Sequence, residues 1–135
     1  MPTIDAKKFQ GRLEEITNFE AYVESLVSWV GLISDSFANE IAFSVRAAAE
    51  IRQEDLTAQQ VSRGLRLLNI LKSVFQPIPK ASMILSAYTE RHANFAVNGF
   101  EALRRLSREF SVRTRSEAMH FRSQIMSKTY KVSTL

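Results

Sequence analysis

Apolar side chains recur along most of this chain at intervals of three and four residues, which is the spacing of one face of an α-helix. No stretch of any length alternates apolar and polar residues as a strand does. Two segments carry the clearest helical pattern: Phe19, Tyr22, Val23, Leu26, Trp29, Val30 and Ile33 in the first, and Val61, Leu65, Leu68, Leu71 and Phe75 in the second. The pattern therefore predicts an all-α helical bundle of four to five main helices.

Helix starts are marked by Ser or Thr followed three residues later by Glu or Gln, a capping box in which the two side chains satisfy amide groups of the first turn. Three boxes fit, beginning at Thr17, Thr57 and Thr114. Pro77 and Pro79 form the clearest helix breaker, because proline removes an amide donor and restricts the residue before it. These marks predict a short helix near 4–15, helices over 18–33, 36–53 and 57–75, and a long helical region from about 80 to 130.

The region 80–130 contains two candidate breaks, one at Asn98-Gly99 and one between Ser111 and Thr114. One apolar stripe stays in phase at about 100° per residue across both, which favours a continuous helix. The stripe comprises Ala96, Phe100, Leu103, Phe110, Thr114, Ala118, Phe121 and Ile125. An unbroken helix of about 50 residues would be about 75 Å long, so it would protrude from the bundle and need a partner.

The chain has 135 residues, of which 45% are hydrophobic and 24% charged, and we expect one helical domain over 1–135. Its net charge of +4 combines two halves of opposite sign. The acidic half, 1–60, has ten acidic and five basic side chains, whereas the basic half, 61–135, has thirteen basic and four acidic ones. This division indicates an anionic partner, head-to-tail self-association, or two halves folded against each other.

Several kinds of chemistry find no support in the composition. The chain has no cysteine, which excludes disulfides, thiolate metal sites and cysteine nucleophiles. Glu117 and His120 supply a single Glu-x-x-His spacing, too little for a helical metal site, and no phosphate-binding loop or serine nucleophile motif is present. Without a transmembrane span or a signal peptide in the sequence, we expect a non-enzymatic cytoplasmic protein that needs no cofactor, metal or small-molecule substrate.

An arginine row lies beside the C-terminal apolar stripe. It is formed by Arg104, Arg108, Arg115 and Arg122, which fall within about 40° of one another on a helical wheel. Arg104 follows Glu101 by three residues, a spacing that favours an ion pair. The other three arginines have no acidic residue three or four positions away. The unpaired members of the row are therefore expected to meet an anion or an acidic protein face.

A second apolar face lies opposite the stripe and includes Met119, Met126 and Tyr130. A helix with two apolar sides and arginines between them is difficult to leave in water. The sequence therefore predicts a non-enzymatic interaction or assembly module, a homo-oligomer or one that docks a protein partner, acting through its basic C-terminal helix. The expected interaction residues are Arg104, Arg108, Arg115, Arg122, Met119, Met126 and Tyr130.

Other interpretations of the same residues stay open. The arginine row would also suit the phosphates of an RNA or DNA backbone, or pair internally with acidic side chains such as Glu20 and Glu24. Arg115 and His120 form an Arg-x4-His pattern that resembles the helical HEPN ribonucleases. That resemblance implies that this pair acts on the RNA backbone, and it ranks third because the pattern spans only six residues.

Overall fold

The computed structural model describes residues 1–91, 96–111 and 122, and within these ranges it contains five α-helices and no strand. The helices are α1 (Arg12–Gly31), α2 (Asp35–Arg46), α3 (Ala58–Val74), α4 (Pro79–Arg91) and α5 (Gly99–Glu109). Two short 3-10 helices, Ala6–Lys8 and Gln53–Asp55, precede α1 and α3. The predicted all-α helical bundle is confirmed.

The bounds of the first three predicted helices are wrong. α1 begins at Arg12, so the capping box at Thr17 lies inside the helix and does not start it. Of the helix predicted near 4–15, the structure has the 3-10 helix Ala6–Lys8 and, at residues 12–15, the first turn of α1. α2 ends at Arg46, short of the predicted residue 53, because the chain after it runs towards α5, where the amide of Ile51 donates to Glu101 Oε1 at 2.8 Å.

The capping box at Thr57 is confirmed as the start of α3. Thr57 Oγ1 accepts from the amide of Gln60 at 3.2 Å, and Gln60 Oε1 accepts from the amide of Thr57 at 3.0 Å. The predicted turn between α3 and α4 is also present, and Pro79 is the first residue of α4, where its missing amide hydrogen costs nothing. The third box, at Thr114, lies outside the described residues.

The long C-terminal region is not one helix. α4 ends at Arg91 and α5 begins at Gly99 after the N-cap Asn98, whose Oδ1 accepts from the amide of Glu101 at 2.9 Å. Gly99 is required because a Cβ at this position would lie 2.4 Å from the backbone nitrogen of Leu68 and 2.5 Å from the carbonyl oxygen of Gly64. Asn98-Gly99 therefore starts a helix pressed against α3. The candidate break at Asn98-Gly99 is confirmed, and the continuous helix over 80–130, which the apolar stripe favoured, is wrong.

α5 is the central helix of the bundle. Eight of its eleven residues are buried, and it packs against α2, α3 and α4. Beyond its end, the ring of Phe110 lies 5.4 Å from that of Phe19 and 6.5 Å from that of Phe75. Ile33 and Leu65 were expected on buried faces but are 74% and 56% exposed. The core otherwise follows the apolar pattern of the sequence.

Candidate interaction surface

An ionic cluster lies inside the bundle, centred on the fully buried carboxylate of Glu101. Its Oε1 accepts from Arg104 Nε at 2.7 Å and from the amide of Ile51 at 2.8 Å, and its Oε2 accepts from Arg104 Nη2 at 2.9 Å and from Arg105 Nε at 2.8 Å. Burial acts to raise the pKa of Glu101, but these hydrogen bonds outweigh it and hold the pKa below its ordinary value. The carboxylate of Glu101 is therefore ionised at neutral pH and serves a structural role.

Arg104, the first member of the arginine row, belongs to this cluster. It is only 6% exposed, and its hydrogen bonds to Glu101 raise its pKa above the ordinary value. Its charge is thus neutralised within α5 by the i,i+3 pair that the sequence spacing indicated. Arg104 was therefore wrongly expected to be an interaction residue, because it is buried and paired within the bundle.

The residues around the cluster join three parts of the chain. The amide of Asn98 donates to Tyr88 Oη at 3.1 Å, and Asn98 Nδ2 donates to the carbonyl of Ile51 at 3.1 Å. The guanidinium carbon of Arg105 lies 4.6 Å from the centre of the Tyr88 ring, a cation–π distance. Sequence reasoning missed this arrangement, because only the Glu101 spacing is local and the other partners are distant in the chain.

A cavity of about 600 Å³ adjoins the cluster. Its lining residues are Glu50, Ile51, Arg52, Gln53, Glu54, Tyr88 and Ala96. Arg52 lies 3.8 Å from a carboxylate oxygen of Glu50 and 3.5 Å from one of Glu54, and Arg105 Nη2 lies 3.7 Å from Glu50 Oε1, so each charged group at its edge has an opposite charge nearby. The cavity gives no separate indication of a ligand.

Arg108 and Arg122 lie on the outside of the protein. Both are exposed, and within the described ranges no carboxylate forms an ion pair with Arg108. Arg115, Met119, Met126, Tyr130 and His120 lie outside the described residues. The exposed part of the arginine row thus begins at Arg108, one turn after Arg104.

The two halves of opposite charge are folded against each other, as one of the three alternatives predicted. Arg63 of α3 binds both carboxylate oxygens of Glu40 in α2, at 2.6 and 2.7 Å. Lys80 of α4 lies 3.0 Å from Glu15 Oε2 in α1. These contacts pair Glu15 and Glu40, two of the ten acidic residues of 1–60, with basic residues of 61–135.

A groove of about 830 Å³ runs between α1 and α2. The half-buried apolar side chains Val23, Val27, Ala42 and Val45 line it, together with Glu24, Ser25, Ser28 and Arg46. Glu20 is exposed one turn before Glu24, and neither forms an ion pair with a described residue. We call Glu20 and Glu24 the glutamate rim of the α1–α2 groove. Phe43, next to Ala42 in the chain, is 68% exposed.

Comparison with known proteins identifies no relative: no family model matches the chain, and no curated protein or solved structure is significantly similar to it. Among the described helices, none is long and apolar enough to cross a membrane. Across the same ranges, no group of three or more His, Asp or Glu side chains is arranged to hold a metal ion.

Proposed function

We propose that the protein is a non-enzymatic assembly module that self-associates through the basic segment following α5. The carrying observation is the division of the arginine row at the protein surface. Arg104 is buried and neutralised by Glu101, whereas Arg108, one turn later, is exposed and has no carboxylate partner among the described residues. The bundle therefore supplies a counterion to the start of the row and leaves its continuation to a partner.

The side-chain types that follow Arg108 support a protein partner. Arginine, methionine and tyrosine are enriched in the cores of protein–protein interfaces, whereas lysine and glutamate are depleted there. Residues 112–135 combine Arg115 and Arg122 with the second apolar face that the sequence predicts for Met119, Met126 and Tyr130. A nucleic-acid backbone would use the arginines but would leave this apolar face in water.

The direct test measures molar mass by size-exclusion chromatography with light scattering over a series of protein concentrations. The wild-type chain is expected to form a species heavier than the monomer, and the triple variant Arg108→Glu, Arg115→Glu, Arg122→Glu is expected to stay monomeric. The matched control reverses Arg66, Lys72 and Arg91, which are exposed and outside the row. It should associate like the wild type. A wild-type chain that is strictly monomeric at high concentration overturns the proposal.

The same variants distinguish the two other functions. The protein would instead be a nucleic-acid binder if the wild type is monomeric and binds random RNA or DNA with a salt-dependent affinity. That binding should be lost in the triple arginine variant and kept in the control variant. Cleavage of RNA by the wild type, lost in both Arg115→Ala and His120→Ala, would identify a ribonuclease. Either result replaces the assembly proposal.

A further inference from the structure

We infer that the α1–α2 groove of one copy of the protein binds residues 112–131 of a second copy, so that the chains associate head to tail. The inference rests on the proposed function, because it names the surface to which the same basic segment binds. Four features of the described residues support it: the lining of the groove, its charge, its length, and the direction in which the chain leaves α5.

The lining of the groove suits an amphipathic helix. Val23 and Val27 of α1 face Ala42 and Val45 of α2 across it, and all four are only half-buried, so an occupant would remove further apolar surface from water. Docking of a helix by its apolar face into such a groove is a common mode of recognition. The sequence of 112–131 predicts an apolar face for this purpose, the second apolar face of Met119, Met126 and Tyr130.

The charges of the two surfaces are complementary. Glu20 and Glu24 give the α1 side of the groove two exposed carboxylates without a described ion-pair partner, and α1 has no basic residue after Arg12. Residues 112–135 contain five basic side chains and one acidic one, Glu117. Arg46, which lines the groove at the end of α2, is the one basic group there. The arginines beside the second apolar face would therefore meet the glutamate rim.

The segment is long enough to cover the groove. On the α1 side the groove is lined by residues from Val23 to Ser28, about 9 Å of helix, whereas residues 112–131 number 20 and would span about 30 Å as a helix.

The direction of α5 favours the groove of a second copy over that of the same chain. The ring of Phe100, at the start of α5, lies 6.3 Å from that of Phe37, which is just beyond the end of α1. At the other end, Arg12, the first residue of α1, donates from Nη2 to the carbonyl of Ser111 at 2.7 Å. α5 therefore runs antiparallel to α1, and at Ser111 the chain is directed past the start of α1, away from the groove at residues 23–28. To enter its own groove, it would have to reverse direction.

A charge-swap experiment tests the head-to-tail arrangement. The groove variant carries Glu20→Arg and Glu24→Arg, and the tail variant carries Arg115→Glu and Arg122→Glu. Each alone is expected to be monomeric by light scattering at concentrations where the wild type associates, with a dissociation constant raised at least about tenfold. An equimolar mixture should regain association, because the intact tail of the groove variant meets the intact groove of the tail variant. A variant with Asp55→Arg and Glu90→Arg, two exposed acids outside the groove, should associate normally.

The outcomes separate the inference from the proposed function. If the tail variant is monomeric while the groove variant still associates, the α1–α2 groove is not the binding surface, and self-association through the basic segment stands. If the mixture of variants stays monomeric, the head-to-tail arrangement is overturned. If the wild type itself never associates, both proposals fail. Far-ultraviolet circular dichroism of every variant checks that the helices are intact.

Discussion

Glu101 and Arg104 form a bidentate ion pair inside the bundle, with Nε and Nη2 of Arg104 lying 2.7 and 2.9 Å from the two carboxylate oxygens of Glu101. A buried pair of this kind adds little net stability when both partners are present, because burial removes the hydration of both charges. Removing only one of the two partners is costly, since the other charge then remains buried without its counterion. The cluster thus makes the position of α5 strongly dependent on a few polar groups.

Glu101→Gln is expected to destabilise the fold by about 3–5 kcal/mol, because it leaves Arg104 buried without a negative partner. Urea unfolding followed by circular dichroism measures the change in the free energy of unfolding. Glu24→Gln, which removes an exposed carboxylate from another helix, is the matched control and should change that free energy by less than about 0.5 kcal/mol. A loss below about 1 kcal/mol for Glu101→Gln would show that the pair is not buried as described.

Arg104 and Arg108, four residues apart on α5, provide a second matched comparison. Arg104→Met leaves Glu101 with Arg105 as its remaining cationic partner, so we expect a loss of at least about 2 kcal/mol. Arg108→Met removes an exposed arginine and should change the free energy of unfolding by less than about 0.5 kcal/mol. Under the proposed function, Arg108→Met should weaken self-association more than Arg104→Met does, although it costs less stability. Equal losses of stability would contradict the division of the arginine row.

The apolar pattern of the sequence predicted the all-α class of the fold, and the local spacing of Glu101 and Arg104 indicated their pairing. The sequence did not show that Arg104 is the buried arginine of the row, because that depends on the packing of α2, α3 and α4 around α5. The end of α2 was missed for a similar reason: Ala48 and Ala49 favour a helix, but Ile51 has to reach a carboxylate fifty residues away. Local patterns cannot contain such contacts.

The same ionic cluster predicts a loss of stability in acid. The pKa of Glu101 is lowered in the folded protein, so its stabilising contribution is complete above the ordinary pKa of 4.5 and is lost as the pH falls through the lower folded value. Urea unfolding of the wild type between pH 7 and pH 3 should therefore show a steep loss of stability below about pH 4.5. The difference in stability between the wild type and Glu101→Gln should shrink over the same interval. A difference that stays constant would mean that Glu101 does not titrate with a lowered pKa.

The contact between α3 and the start of α5 gives the most stringent test of the packing. Gly99→Ala would place its Cβ 2.4 Å from the backbone nitrogen of Leu68 and 2.5 Å from the carbonyl oxygen of Gly64, and backbone atoms inside a helix cannot move aside as a side chain does. We expect a loss of about 3 kcal/mol or more in the free energy of unfolding, measured in urea. Gly31→Ala is the control, because its Cβ would meet only the Cβ of Ala38 at an ordinary 3.7 Å. That substitution should stabilise α1 by about 0.4–1 kcal/mol, because alanine is the better helix former and restricts the unfolded chain. If Gly99→Ala is as stable as the wild type, the close approach of α3 and α5 at Gly99 is refuted, and with it the reason for the break between α4 and α5.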